Sequence, residues 1–244
     1  MKVTEHIAQS KDTLVSFEIL PPLKGKTINS IFDHLDPLME FKPSWINVTY
    51  HRSETMFKKQ ADGSFAKIEV RKRPGTVGIC AAIMQHYNVD PVPHLICGGF
   101  TREETENALI DLAFLGIDNV LVLRGDAPKN ETFFEPEQGG NHYAIDLLKQ
   151  VVDLNHGLYL EEEVKDPGNA QFCIGVAGYP EKHFEAPSMD FDLQKAKEKV
   201  DAGAQYIMTQ MFFDNKKFFD YVDACRSIGI TVPIIPGLKP ITNK

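Results

Sequence analysis

Little in this sequence points to a large charged or lipid partner. Basic residues are in the minority: 26 Lys and Arg stand against 34 Asp and Glu, a formal charge of −8. A nucleic-acid-binding face needs a basic excess, and the longest basic run is Arg71-Lys72-Arg73. No apolar stretch approaches the roughly 18 residues of a membrane span, and the opening MKVTEHIAQSKD lacks the apolar core of a signal peptide. Cysteine is sparse. Cys80, Cys97, Cys173 and Cys225 form no CxxC pair and no dense framework, which predicts reduced thiols in a cytoplasmic protein. Signature loops are missing too: no GxGxxG follows a strand, and GxxxxGK[ST], HExxH and GxSxG do not occur. Small molecules are the expected partners, not nucleic acid or membrane.

What is present is a recurring unit: an amphipathic stretch, a glycine, then a short apolar β-rich run. Thr101–Leu115 leads through Gly116 to a run at Val120, Leu193–Ala202 through Gly203 to Tyr206, and Lys217–Ile228 through Gly229 to Val232. A glycine suits the left-handed turn after a helix, and helix–Gly–strand in series predicts βα repeats on a parallel sheet. Strands are expected at Leu14–Leu20, Trp45–Tyr50, His94–Cys97, Val120–Arg124, Phe172–Gly178, Tyr206–Phe213 and Val232–Pro236. Thr76–Val89 reads as a helix from its length and its exit into Asp90-Pro91. Seven parallel repeats suggest a (β/α)8 barrel, typically about 250 residues. Pro21-Pro22 follows the first strand where a doubly wound sheet carries its glycine fingerprint. The fold expected is therefore an α/β barrel, one domain over residues 1–244, lacking its eighth strand and last helices. Roughly 50–70 further residues at ordinary element lengths would close it.

In a barrel, chemistry gathers where strands end. Alternation along VSFEILPP puts Glu18 on the face opposite Phe17, pointing into the mouth. There it is either half of a structural ion pair or an acid whose pKa burial raises. Asn47–Arg52 brings donors and an aromatic to the second strand end. His94 is either a hydrogen-bonded core residue or a ligand. The fourth strand stops in Arg124-Gly125-Asp126, a cation, an unhindered backbone and an anion at one rim. Gln210, inside an apolar run, needs a partner. A metal set of His51, His94 and Asp126 has no spacing signature. Lys239 is a candidate Schiff-base lysine for a barrel lyase or aldolase, or a solvated loop residue.

The motifs SFEILPP, INVTYHR, PHLICGG, VLVLRGDAP, GYPEKH, DAGAQYIMTQMFFD and PIIPGLKPITN together resemble, in order, the methylenetetrahydrofolate reductase family, across essentially the whole chain. The resemblance implies a (β/α)8 barrel that holds FAD. The activity it implies is reduction of 5,10-methylenetetrahydrofolate to 5-methyltetrahydrofolate by NADH or NADPH, ping-pong through the flavin, within one-carbon metabolism and methionine biosynthesis. It implies Glu18 as general acid and Asp126 as the carboxylate beside flavin and folate. Thr49, Asp126 and Gln210 would touch folate or nicotinamide. FAD contacts would come from Tyr50, His94, Arg124, Gly125, Asp126, Tyr143, Ala144, Tyr179, His183, Ala186, Asp192 and Lys199, with Arg124 and Lys199 at the phosphates. Arg52 stands where a small residue is usual and Lys195 where an Asn is usual. A homo-oligomer is also implied. A non-catalytic flavin- or folate-binding barrel is the other reading. Tyr159–Gln171 reads as a surface insertion.

Overall fold

A computed structural model of the chain describes residues 1–128, 131, 133–161 and 170–241. In order along the chain come α1 (Val3–Gln9), β1 (Phe17–Ile19), α2 (Asn29–Leu35) and a 3-10 turn at Asp36–Phe41. Next are β2 (Trp45–Val48), β3 (Glu54–Lys59), β4 (Phe65–Val70), α3 (Thr76–Tyr87), β5 (Asp90–Ile96), α4 (Arg102–Phe114) and β6 (Asn119–Leu123). The chain continues through α5 (Ala144–Asn155), β7 (Cys173–Gly178), α6 (Met189–Asp201), β8 (Tyr206–Thr209), α7 (Asn215–Ser227) and β9 (Ile234–Ile235). Seven strands form one parallel sheet in the order β1-β2-β5-β6-β7-β8-β9, and β3 and β4 form a separate antiparallel hairpin. The sheet is a curled, barrel-type half-closed wall. Among the described residues its edge strands are β1 and β9.

Strand alternation sorts the side chains into two layers. Ile46, Val48, Val120, Val122, Ile174, Val176 and Ile207 face the helices and pack on Ile79, Ile83, Leu109, Leu148 and Val151. Trp45, Val92, Leu121, Cys173 and Tyr206 face inward and form a second core with Val3 of α1. That helix covers the N-terminal ends of the strands, pinned where the Val3 N–H donates to Asn119 Oδ1 at 2.8 Å. The C-terminal ends are left free for chemistry. The inner layer is tight: a methyl group on Gly175 would overlap the Tyr206 ring. All four thiols are buried, Cys80, Cys97 and Cys225 in the outer layer and Cys173 in the inner. Burial raises the pKa of each.

Every predicted parallel strand is present, with shifted ends. The helix over 76–87 stops at left-handed Asn88, but Asp90-Pro91 opens β5 four residues before the predicted start at His94. Prolines at 91 and 93 are tolerated there because this stretch pairs only with β2; pairing with β6 begins at His94. The run from Tyr206 ends as strand at Thr209, not Phe213. Gly116, Gly203 and Gly229 all take positive φ after their helices, as the repeat predicts. The hairpin was not foreseen. Most of the predicted insertion at Tyr159–Gln171, residues 162–169, lies outside the described residues.

Candidate active site

A cleft of about 1400 Å³ opens at the C-terminal ends of the strands. Single-ligand sites occupy about 300–1,000 Å³, so this one has room for two molecules. Its walls include Glu18, Thr49, Tyr50, His94, Arg124, Gly125, Asp126, Tyr179, His183 and Gln210. Residues from six strands, far apart in sequence, therefore meet in one place.

Register explains why. Glu18 pairs across the sheet with Asn47, whose neighbours Trp45 and Ile46 show that odd residues of β2 point inward. Glu18 is inward too, while Phe17 packs edge-on against Phe41 at 6.1 Å. The Glu18 side chain is 58% exposed to the cleft, and partial burial still raises its carboxyl pKa. His94 stands 3.7 Å away between Oε2 and Nε2, too far for a hydrogen bond. His94 is buried, which lowers its pKa to about 4, with His51 adding to the effect. The ring is therefore neutral at pH 7, and its Nε2 has no hydrogen-bond partner among the described residues. A neutral imidazole gives Glu18 no counter-charge, and among the described residues no other ion pair to Glu18 is present.

Thr49 is anchored by its N–H and its hydroxyl, both donating to the Ile19 carbonyl at 3.1 and 3.2 Å. The Gln210 N–H donates to the Gly178 carbonyl at 2.8 Å, and the residue is exposed in the cleft wall. Gly125 has φ +84, and a Cβ there would stand 3.3 Å from Ile96. The chain can thus turn sharply and expose its backbone only with glycine. Arg124 makes a two-point ion pair with Glu185 at 2.6 and 2.8 Å, which raises the pKa of Arg124 and lowers that of Glu185. Its guanidinium also sits 5.2 Å from the Phe134 ring centre.

The loop after β7 is fixed from behind. The Asp192 carboxylate accepts the His183 N–H at 2.8 Å. Lys182, in the left-handed region at φ 70, donates to the carbonyls of His183 and Ala186. The Tyr179 ring meets His183 edge-on at 4.7 Å, and burial raises the Tyr179 hydroxyl pKa to about 12. Lys199 is buried and donates to the Ala177 carbonyl at 2.7 Å; burial lowers its pKa to about 8, while Asp192 partly restores it. Asp192, Lys199 and Ala186 thus support the wall from behind. Tyr143 and Ala144 begin α5, with Tyr143 61% exposed; neither lines the cleft.

Arg52 packs against Gly98 and Gly99: an added methyl group would stand 3.3 Å from its guanidinium at Gly98 and 3.1 Å from its Cβ at Gly99. Two glycines therefore make room for the larger side chain. Lys195 pairs with Glu198 on the surface of α6 at 2.8 Å. Lys239 is exposed and lies outside the cleft wall. Among the described residues no three His, Cys, Asp or Glu side chains converge as a metal site, the set His51, His94 and Asp126 included. No helix among them is long and apolar enough to cross a membrane. The cleft residues missing from sequence reasoning include Thr55, Phe57 and Lys67 of the hairpin, and Phe184 beyond it. Asp62-Gly63 between two β-forming runs was the hairpin's signal.

A parallel βα wall whose polar groups converge on one strand-end cleft defines a barrel-type α/β chain with an enzyme-like site. A Clostridium thermocellum protein described as binding two copies of 5-methyl-5,6,7,8-tetrahydrofolic acid shares this fold, at TM-score 0.55 and 14% identity over 97% of this chain and 69% of that one. The chain belongs to the methylenetetrahydrofolate reductase family, whose model matches residues 2–244. The maize protein named methylenetetrahydrofolate reductase (NADH) 1 is 34% identical over 255 residues, covering 100% of this chain and 38% of its own length. The Escherichia coli 5,10-methylenetetrahydrofolate reductase is 34% identical over 229 residues, covering 94% of this chain and 65% of its own.

Proposed function

We propose that this chain reduces 5,10-methylenetetrahydrofolate to 5-methyltetrahydrofolate, taking electrons from NADH or NADPH, with FAD across the strand ends. The observation that carries the reading is the convergence of Glu18, Thr49, Asp126 and Gln210 on a single two-ligand cleft. The residues present fit a flavin: the unpartnered Nε2 of buried His94 and the exposed backbone at Gly125 are ready for a heteroaromatic edge. Tyr50, Arg124, Tyr179 and His183 would complete its holder, with Asp192, Lys199 and Ala186 keeping that wall in place. Bound there, FAD supplies the two-electron carrier between donor and folate.

The chain's own part is proton and charge placement. The five-membered ring of the folate must open before its methylene carbon accepts hydride, and opening needs a proton on the departing nitrogen. Glu18, whose carboxyl pKa is raised by partial burial, would deliver that proton in the mouth. Opening leaves a cation on the other nitrogen, and the exposed Asp126 carboxylate offsets it. Thr49 and Gln210 orient the folate and the nicotinamide, which take turns in the same cleft. Overall, one hydride and one proton are added to the substrate, and the nicotinamide is oxidised. The test is the absorbance and turnover of the purified chain. Flavin bands at about 380 and 450 nm and donor-dependent formation of 5-methyltetrahydrofolate are expected. A colourless chain, or a yellow one without turnover, overturns the reading and leaves a lyase or a binding module.

A further inference from the structure

A second cavity, of about 760 Å³, lies between the loop after β1, the first turn of α3 and α4. That is the size of a single small-molecule site. It meets the cleft at Leu23, Tyr50, Arg73, His94 and Ile96, and otherwise has walls of its own. Lys24, Lys26, Arg71 and Arg73 line it, and none of its described lining residues is Asp or Glu, in a chain of net charge −8. Four like charges repel, so the set gains stability when an anion joins it. Arg71 Nε donates to the Arg73 carbonyl at 3.0 Å and Arg73 to the Pro21 carbonyl, which fixes both guanidinium groups with N–H groups to spare. The Lys24 N–H donates to the Lys72 carbonyl at 2.7 Å and ties the β1 loop to the segment before α3. Lys24 and Lys26 have no ion-pair partner among the described residues.

Two glycines of the α3 end add to this. A Cβ on Gly75 would collide with the Arg71 guanidinium, so a cation lies over the helix start, where the dipole is already positive. The first N–H groups there have no intrahelical acceptor, and Gly75 as N-cap offers no side-chain one. Gly78 lies inside the helix, where glycine is destabilising. Its φ is not positive, and a Cβ there would meet nothing within 4 Å. Neither backbone nor neighbours call for glycine at 78; its missing side chain keeps the cavity wall open. The rest of the wall is apolar, with Ile28, Ile31, Leu95 and the ring pair Tyr50–Phe100 at 4.9 Å.

We propose that this chamber binds a phosphate monoester carried on a flat, largely apolar body. The phosphate would lie among the four cations at the start of α3, and the body against Ile28, Leu95 and Phe100. A phosphate monoester brings a charge of about −1.5 to −2 and three acceptor oxygens. A carboxylate, with one charge and two oxygens, leaves most of these donors unused. The assignment does not rest on the folate-reducing reading, because Lys24, Lys26, Arg71 and Gly78 line the chamber and not the cleft.

The experiment titrates phenyl phosphate, inorganic phosphate and benzoate into the purified, flavin-loaded chain and reads binding by calorimetry. Phenyl phosphate should bind about tenfold more tightly than either of the others, and less tightly as salt rises. Lys24→Glu with Lys26→Glu should weaken it at least tenfold, and Lys24→Arg with Lys26→Arg should keep it. Gly78→Leu fills the wall and should remove the advantage of phenyl phosphate over inorganic phosphate. The KM for NADH and the melting temperature should stay near those of the wild type in every variant, which excludes general unfolding. Displacement of the probe by NADPH but not NADH would give the chamber to the 2′-phosphate of the donor, and displacement by neither to a separate ester. A wild type that binds benzoate as well as phenyl phosphate overturns the assignment. So does binding that survives both the charge reversal and Gly78→Leu, or displacement by NADH, which would place the probe in the cleft.

Discussion

Replacing Glu18 by Gln isolates a single proton. The amide keeps the size and polarity of the carboxyl but has no acidic hydrogen to give. It breaks no charge pair with the facing His94, which is 3.7 Å away and neutral, its pKa lowered to about 4. The loss should therefore fall on proton delivery to the opening folate ring, about 10²–10⁴ in rate, equivalent to about 3–5 kcal/mol of barrier. Two steady-state assays separate the halves of the reaction: NADH oxidation by a soluble quinone, which needs no folate, and NADH oxidation by methylenetetrahydrofolate. The second should collapse while the first falls far less. A raised pKa also fixes the sign of two pH effects. The wild-type folate rate should decline as pH rises through the elevated Glu18 pKa, because the donor form disappears, and the variant should lose that limb. The fold favours protonated Glu18 over the ordinary value of 4.5. Its contribution to stability is full below that value and lost as pH rises through the folded-state pKa. The melting-temperature difference should therefore move in favour of Gln with rising pH. An equal loss in both assays would show Glu18 to be structural and refute the reasoning.

Asp126→Asn should retain flavin but weaken folate binding and slow turnover; loss of flavin with unchanged folate turnover would make Asp126 a cofactor tether only. Gly125→Ala forces a side chain into φ +84 beside Ile96, costing about 1–2 kcal/mol, and should lower both melting temperature and flavin content at 450 nm; full loading would show that the backbone there touches no cofactor. Gly175→Ala overpacks the inner core against Tyr206 at about 1–3 kcal/mol and should lower the melting temperature by several degrees while leaving the cleft residues in place. An unchanged melting curve would mean the Tyr206 ring moves freely.

The parallel wall was legible because each repeat writes the same punctuation, a helix face, a glycine and an apolar run, and each such glycine takes positive φ. Strand ends were less so. Tyr206–Phe213 is apolar apart from Thr209 and Gln210, but its partner β7 ends at Gly178, opposite Thr209, so the ladder stops there. The direction of Glu18 followed from alternation with Phe17. What no local pattern carries is the state of His94: its unpartnered Nε2 depends on burial by elements up to 76 residues away in sequence, such as β1 at Glu18. The hairpin was hidden for the opposite reason. Its strands are half solvated and bear charges at Lys58, Lys59, Lys67 and Glu69, so they lack the apolar run that marked the others.

Four buried thiols in two layers give this chain its own reporter of internal motion. A thiol reagent attacks the thiolate, and here that species is both scarce and shielded, so modification has to wait for the structure to open. Which cysteine is modified first, read by mass spectrometry of the fragments, would tell which seam parts. Early modification of Cys80 or Cys225 would mean helices lifting from the sheet. Early modification of Cys173 would mean strands separating around the inner core. Repeating the experiment with folate present would show which of those openings the occupied cleft suppresses, without adding a foreign probe.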